Sequence, residues 1–153
     1  IGRTREVLLR WCEIAAFNVI MRTHEGNRPS SNVQFDSDQT CIEFFARMSR
    51  IHAHLKTYSL HVIQEAYRQG RSCLIPHTEL QYFFGNDLLI APVVNSDVNT
   101  WTVTIPDGQW IHIWSNKTYE KNQYKIEAPL GQPPVFYRTT SEWTSLFEQI
   151  QFL

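Results

Sequence analysis

Charge of one sign is what this sequence most plainly lacks: 14 Lys and Arg stand against 15 Asp and Glu over 153 residues. Without a net basic field nothing holds a phosphate backbone by counterion release, which argues against nucleic acid as a partner. Long hydrophobic runs are also missing. The longest apolar stretches, such as residues 88–94, fall far short of the roughly 20 residues a membrane-spanning helix requires, so no membrane span is read. Cysteine is scarce and unpatterned. Cys12, Cys41 and Cys73 are odd in number and far apart, with no CxxC and no Cys/His cluster of metal-ligand spacing. They read as buried thiols of a reducing compartment, which favours the cytoplasm, and no metal is implied. The first residues carry no methionine and run straight into a helical pattern, so they read as a cut terminus rather than a signal peptide.

What is present is apolar and aromatic: 42% hydrophobic and 13% Phe, Trp and Tyr, enough for one ordinary core or two small ones. Two halves differ in period. From Thr4, the residues Val7, Leu8, Trp11, Ile14, Ala15 and Phe17 recur at three and four, which predicts a helix ending near Asn18. Residues 19–24 are β-branched at first and then polar, and predict a short strand feeding the polar loop 25–32. Asp38 caps a second predicted helix of about eight turns, whose apolar positions from Cys41 to Ala66 keep helical spacing until Gly70 closes it.

After Gly70 the period becomes that of strands. Apolar residues flank a Gly85-Asn86-Asp87 turn, residues 100–105 alternate, and Asp107-Gly108 marks a hairpin. Trp110, His112 and Trp114 are expected on one strand face, with Ile111 and Ile113 on the other. A proline-punctuated strand follows at Pro134-Val135-Phe136-Tyr137-Arg138, and the chain closes on Trp143, Leu146, Phe147 and Ile150.

Several residues invite a functional reading. His52, His54 and His61 lie on the long helix, but their spacing does not place a ligand pair on one face, so they read as exposed helix residues. Trp101, Trp110 and Trp114 are candidate sugar-stacking platforms, and in alternating strands they are more often core. Asp36, Asp38, Asp87, Asp97 and Asp107 occupy loop or cap positions and read as turn formers.

Four blocks in order carry a resemblance over nearly the whole chain. Leu8-Leu9-Arg10-Trp11-Cys12-Glu13-Ile14-Ala15-Ala16-Phe17 leads to Met21-Arg22-Thr23-His24. Phe84-Gly85-Asn86-Asp87-Leu88-Leu89-Ile90-Ala91-Pro92-Val93 follows, then Ile105-Pro106-Asp107-Gly108-Gln109-Trp110, then Pro134-Val135-Phe136-Tyr137-Arg138. Together they resemble glycoside hydrolase family 31, the α-glucosidase family. Arg22-Thr23-His24-Glu25-Gly26-Asn27-Arg28-Pro29 and Gln34-Phe35-Asp36 look most like its sulfoquinovosidase branch.

The resemblance implies an α/β fold. Residues 1–79 would be the last helix-strand-helix units of a (β/α)8 barrel, and residues 80–153 an antiparallel β-sandwich C-terminal domain. It implies a retaining α-glycoside hydrolase, sulfoquinovosidase-like or α-glucosidase, that uses water and no cofactor on a small carbohydrate substrate. Both catalytic aspartates of the family lie upstream of the Arg-Trp helix, so no catalytic residue is expected in this chain, and the missing N-terminal barrel of the same protein is its expected partner. His24 falls at the end of the last barrel strand, where the family's histidine hydrogen-bonds hydroxyls of the sugar. Arg22, on the same side, would orient a pocket carboxylate or hold the loop. Glu25 and Arg28 read equally well as a solvated pair. The alternative is a non-catalytic carbohydrate-binding or structural module derived from such an enzyme. Between Gly70 and Phe83 the chain is about a dozen residues shorter than the family pattern, so a lost strand and an unpaired sheet edge are expected there.

Overall fold

The computed structural model describes residues 2–24 and 28–153. Glu25, Gly26 and Asn27, which belong to the branch motif, lie outside them. The first helix, α1 (Arg5–Ala16), starts where Thr4 Oγ1 accepts the Val7 N–H at 3.3 Å. It buries Leu8, Leu9, Cys12 and Ala16. The strand expected over residues 19–24 does not form: the segment is irregular, without ladder partners. A barrel strand takes its hydrogen bonds from parallel neighbours, and no such neighbour lies among the described residues.

The single long helix expected after Asp38 is two. Helix α2 (Gln39–His54) and helix α3 (Lys56–Gln69) meet at Leu55, whose ψ is 1°. The buried stripe Met48, Ile51, Leu55, Tyr58 and Val62 crosses the joint without losing phase, which is why sequence periodicity reads straight through it. The Ser59 hydroxyl donates to the Leu55 carbonyl at 3.0 Å, a back-bond one turn down that bends helices. Asp38 accepts the Cys41 N–H at 2.9 Å as the expected cap. Gly70, at φ 61°, closes α3, and the Arg71 N–H reaches the Ala66 carbonyl at 3.0 Å.

Eight strands follow: β1 (Leu74–Thr78), β2 (Gln81–Phe84), β3 (Leu88–Ile90), β4 (Thr100–Ile105), β5 (Trp110–His112), β6 (Thr118–Tyr119), β7 (Asn122–Glu127) and β8 (Val135–Arg138). Six form an antiparallel sheet in the order β1-β2-β3-β8-β5-β6, and β4 pairs with β7 in a two-stranded ribbon. Alternation divides the large sheet cleanly. Phe84, Leu88, Ile90, Val135 and Tyr137 face the helices in one core. Leu89, Trp110 and Phe136 face the ribbon's Val103, Ile105 and Ile126 in a second. The closing helix α4 (Thr144–Glu148) and its 3-10 extension add Phe147 and Ile150 to the first core. That core therefore draws on both halves of the chain, and the 79/80 boundary falls on the β1–β2 turn.

Three strand expectations need correction. Asp107-Gly108 is not a hairpin between paired strands: it carries the chain from β4 in the ribbon to β5 in the large sheet. Trp114 does not share a face with Trp110. The strand ends at His112, the Asn116 N–H bonds the His112 carbonyl at 2.9 Å, and the turn sends the Trp114 ring edge-on to Phe17 in the helix-side core. The shortened stretch after Gly70 does not delete the edge strand, because β1 is present and pairs with β2 from Leu74–Phe84 to Thr78–Gln81.

Candidate functional site

Helix α1 aims the segment 18–24, and the surrounding elements fix where α1 ends. The Tyr82 hydroxyl on β2 donates to the Phe17 carbonyl at 3.2 Å, and His52 Nδ1 lies 3.3 Å from the Ala16 carbonyl. Further back, a buried ion pair locks α1 to the β-domain. Arg10 contacts the Glu13 carboxylate at 3.1 Å and donates to the carbonyls of Val98 at 2.9 Å and Ala128 at 3.0 Å. Glu13 accepts the Gly131 N–H. Burial pushes the Glu13 carboxyl up, against the opposing pull of Arg10 and the Gly131 N–H.

At the far end of the segment the Arg22 guanidinium lies 3.0 Å from His24 Nδ1. Guanidinium has no acceptor, so Nδ1 accepts and the ring proton sits on Nε2, leaving that nitrogen as a donor. The pair rims a cavity of about 800 Å³ between α1, the segment and the start of α2. Its floor is apolar, built from Leu8, Trp11, Met21 and Phe45, and the Trp11 side chain is 63% exposed. A concave, largely apolar lining with a few polar groups in it is the form of a ligand site.

Arg22 and His24, expected on one side of a strand, are in contact with each other although no strand forms. None of Asp36, Asp38, Asp87, Asp97 and Asp107 lines this cavity. Asp38 caps α2, Asp107 pairs with Lys121 at 3.0 Å, and the Asp87 N–H donates to the Tyr58 hydroxyl at 3.3 Å. The helix histidines are not the exposed residues the spacing implied. All three are half-buried: His54 Nε2 lies 2.8 Å from the Leu146 carbonyl, and His61 packs on Trp143. No group of three or more His, Cys, Asp or Glu that could hold a metal occurs among the described residues. Trp110 is wholly buried, and Trp101 and Trp114 pack on the two cores. Sequence reasoning passed over the buried Arg10–Glu13 pair, although its i,i+3 spacing inside an apolar helix was a readable signal.

The sequence pattern of the glycosyl hydrolase family 31 C-terminal domain matches residues 63–141, more than half of the chain. The chain belongs to glycosyl hydrolase family 31. Within the family it is 39% identical to the sulfoquinovosidases of Escherichia coli K12, over 161 residues, and Agrobacterium fabrum C58, over 163 residues. Each match covers 97% of this chain and 24% of the relative. Alpha-xylosidase A of Aspergillus niger is 28% identical over 177 residues, covering 90% of this chain and 24% of that protein. Among solved structures, a family 31 sulfoquinovosidase from E. rectale in complex with an aza-sugar inhibitor superposes with a TM-score of 0.96 at 36% identity, covering 99% of this chain and 24% of that one. The family 31 chain described here therefore spans about a quarter of the length of these relatives.

Proposed function

We propose that this chain is the carboxy-terminal quarter of a retaining α-glycosidase of the sulfoquinovosidase type, which supplies one wall of the sugar pocket and none of the reacting carboxylates. In this reading residues 1–79 close the catalytic barrel and residues 80–153 form the β-domain beside it. The observation that carries it is the Arg22–His24 pair at the rim of an apolar cavity, in a chain of this family. The 39% identity to two sulfoquinovosidases, against 28% to an α-xylosidase, supports an α-sulfoquinovoside as substrate.

The chemistry follows from the geometry of the pair. Arg22 holds Nδ1 of His24 as an acceptor, so Nε2–H is presented to a sugar hydroxyl. Two carboxyl groups about 5–5.5 Å apart, carried on the upstream barrel, would act as nucleophile and as acid then base. As the oxocarbenium-like centre develops, the sugar ring flattens and its hydroxyls shift, and a donor held in place at Nε2 meets the hydroxyl in that geometry. His24 thus contributes more to the transition state than to the bound substrate.

The test is His24→Ala in the protein expressed with the reading frame upstream of Ile1. kcat and kcat/KM should fall together by roughly 30- to 1,000-fold, equivalent to about 2–4 kcal/mol of transition-state stabilisation. No change in a folded variant refutes the pocket role, and a rise in KM alone refutes the transition-state bias.

A further inference from the structure

We propose that Arg3 is a positioning residue for His24, a staple that ties His24 to residues 32–34 beside the cavity; this rests on the sugar-pocket reading of His24. Arg3 precedes α1 in sequence and is half-buried. Among the described residues its guanidinium reaches three groups. Nη1 donates to the His24 carbonyl at 3.3 Å, Nε to the Val33 carbonyl at 3.0 Å, and Nη2 to Gln34 Oε1 at 3.2 Å. Its main chain adds two more ties. The Arg3 N–H donates to Asn32 Oδ1 at 2.6 Å, and the Arg3 carbonyl accepts the Val33 N–H at 3.0 Å. One residue therefore ties His24, at the end of the segment 18–24, to residues 32–34.

Residues 18–24 and 28–38 belong to no helix or strand, and Gln34 is in turn held by its side-chain donation to the Asn32 carbonyl at 3.1 Å. A planar fork suits this task because its donors point in fixed, divergent directions, whereas a lysine ammonium is a single mobile point. The carbonyl that Arg3 grips belongs to His24 itself, so the bond sets where the peptide plane, and hence the imidazole, stands. Arg22 then orients the ring from the side-chain end at 3.0 Å. Arg3 lines the same cavity as both, and its guanidinium bonds to His24, Val33 and Gln34 give it a positioning role rather than a substrate contact.

The experiment is a double-mutant cycle of Arg3→Ala and His24→Ala in the protein expressed with its upstream reading frame, read as kcat/KM and kcat on a nitrophenyl α-glycoside, with melting temperature recorded for each variant. Arg3→Ala alone should lower kcat/KM on the order of 10- to 100-fold, as displacement of a pocket group does. Arg3→Lys should recover only part of the loss. In the His24→Ala background the same Arg3→Ala change should cost little, because the residue it positions is gone. Equal losses in both backgrounds would overturn the proposal while leaving the pocket role of His24 intact. No effect of His24→Ala would overturn the pocket reading and this proposal with it.

Discussion

His112 should make this fold sensitive to mild acid. Its side chain is on β5, 4% exposed, packed at a tilt against Phe136 with ring centroids 4.9 Å apart, and Nδ1 lies 2.9 Å from Ser115 Oγ. Nε2 is buried without a partner, so a second ring proton would enter apolar surroundings with nothing to receive it. Burial, assisted by the Lys117 charge, pushes the imidazole down from the usual 6.5 to about 4. Between those values the unfolded chain takes up a proton that the folded chain refuses. The stability His112 contributes is therefore complete above about pH 6.5 and drains away as pH falls toward about 4, to a total of about 3 kcal/mol. His112→Phe keeps the packing surface and removes the titration. Urea unfolding of parent and variant near pH 7.5 and about pH 4.5 should show the parent losing about 2.5 kcal/mol more than the variant. Glu13 titrates in both proteins and acts in the opposite direction, since a raised carboxyl favours folding at lower pH, so it cancels in the comparison. An identical pH dependence in the two proteins would refute the reasoning.

Two further substitutions test how the helices are joined to the sheet. Gly85→Ala should destabilise by about 3 kcal/mol or more, seen as a lower urea midpoint: its φ is 63°, and an added Cβ would stand 2.6 Å from both the Tyr58 hydroxyl and Val62 Cγ2. Glu13→Ala should cost about 3–5 kcal/mol by the same assay, because it strands the Arg10 guanidinium in a buried site. Values near zero for either would contradict the packing described.

Residues whose structure is decided locally were legible in the sequence. Thr4 and Asp38 cap helices as their positions implied, Gly70 ends α3, and Gly85-Asn86-Asp87 turns β2 into β3. The family was legible too, through motif blocks spread along the chain. What was not legible depends on partners far away in sequence. The joint at Leu55 is invisible to periodicity because the buried stripe continues through it. The pairing of β4 with β7, across an intervening strand pair that joins another sheet, leaves no local trace. His54 reads as a surface residue until Leu146, 92 positions later, places a carbonyl against it. Arg3 gives no hint of its loop contacts because they lie 21 to 31 residues ahead. In the candidate site, the contact of Arg22 with His24 was not legible, because the i,i+2 spacing implied a strand that is absent and the two side chains meet across irregular backbone.

The central claim is that this family 31 chain forms one wall of a glycosidase pocket whose reacting carboxylates lie upstream. The measurement that tests it most directly is hydrolysis of nitrophenyl α-sulfoquinovoside and nitrophenyl α-glucoside by two purified samples, this chain alone and the chain expressed with the reading frame upstream of Ile1. The account predicts no turnover by the chain alone, and turnover by the longer protein with the sulfoquinovoside preferred. Turnover by the isolated chain, or an upstream frame that carries no barrel and confers none, would contradict it.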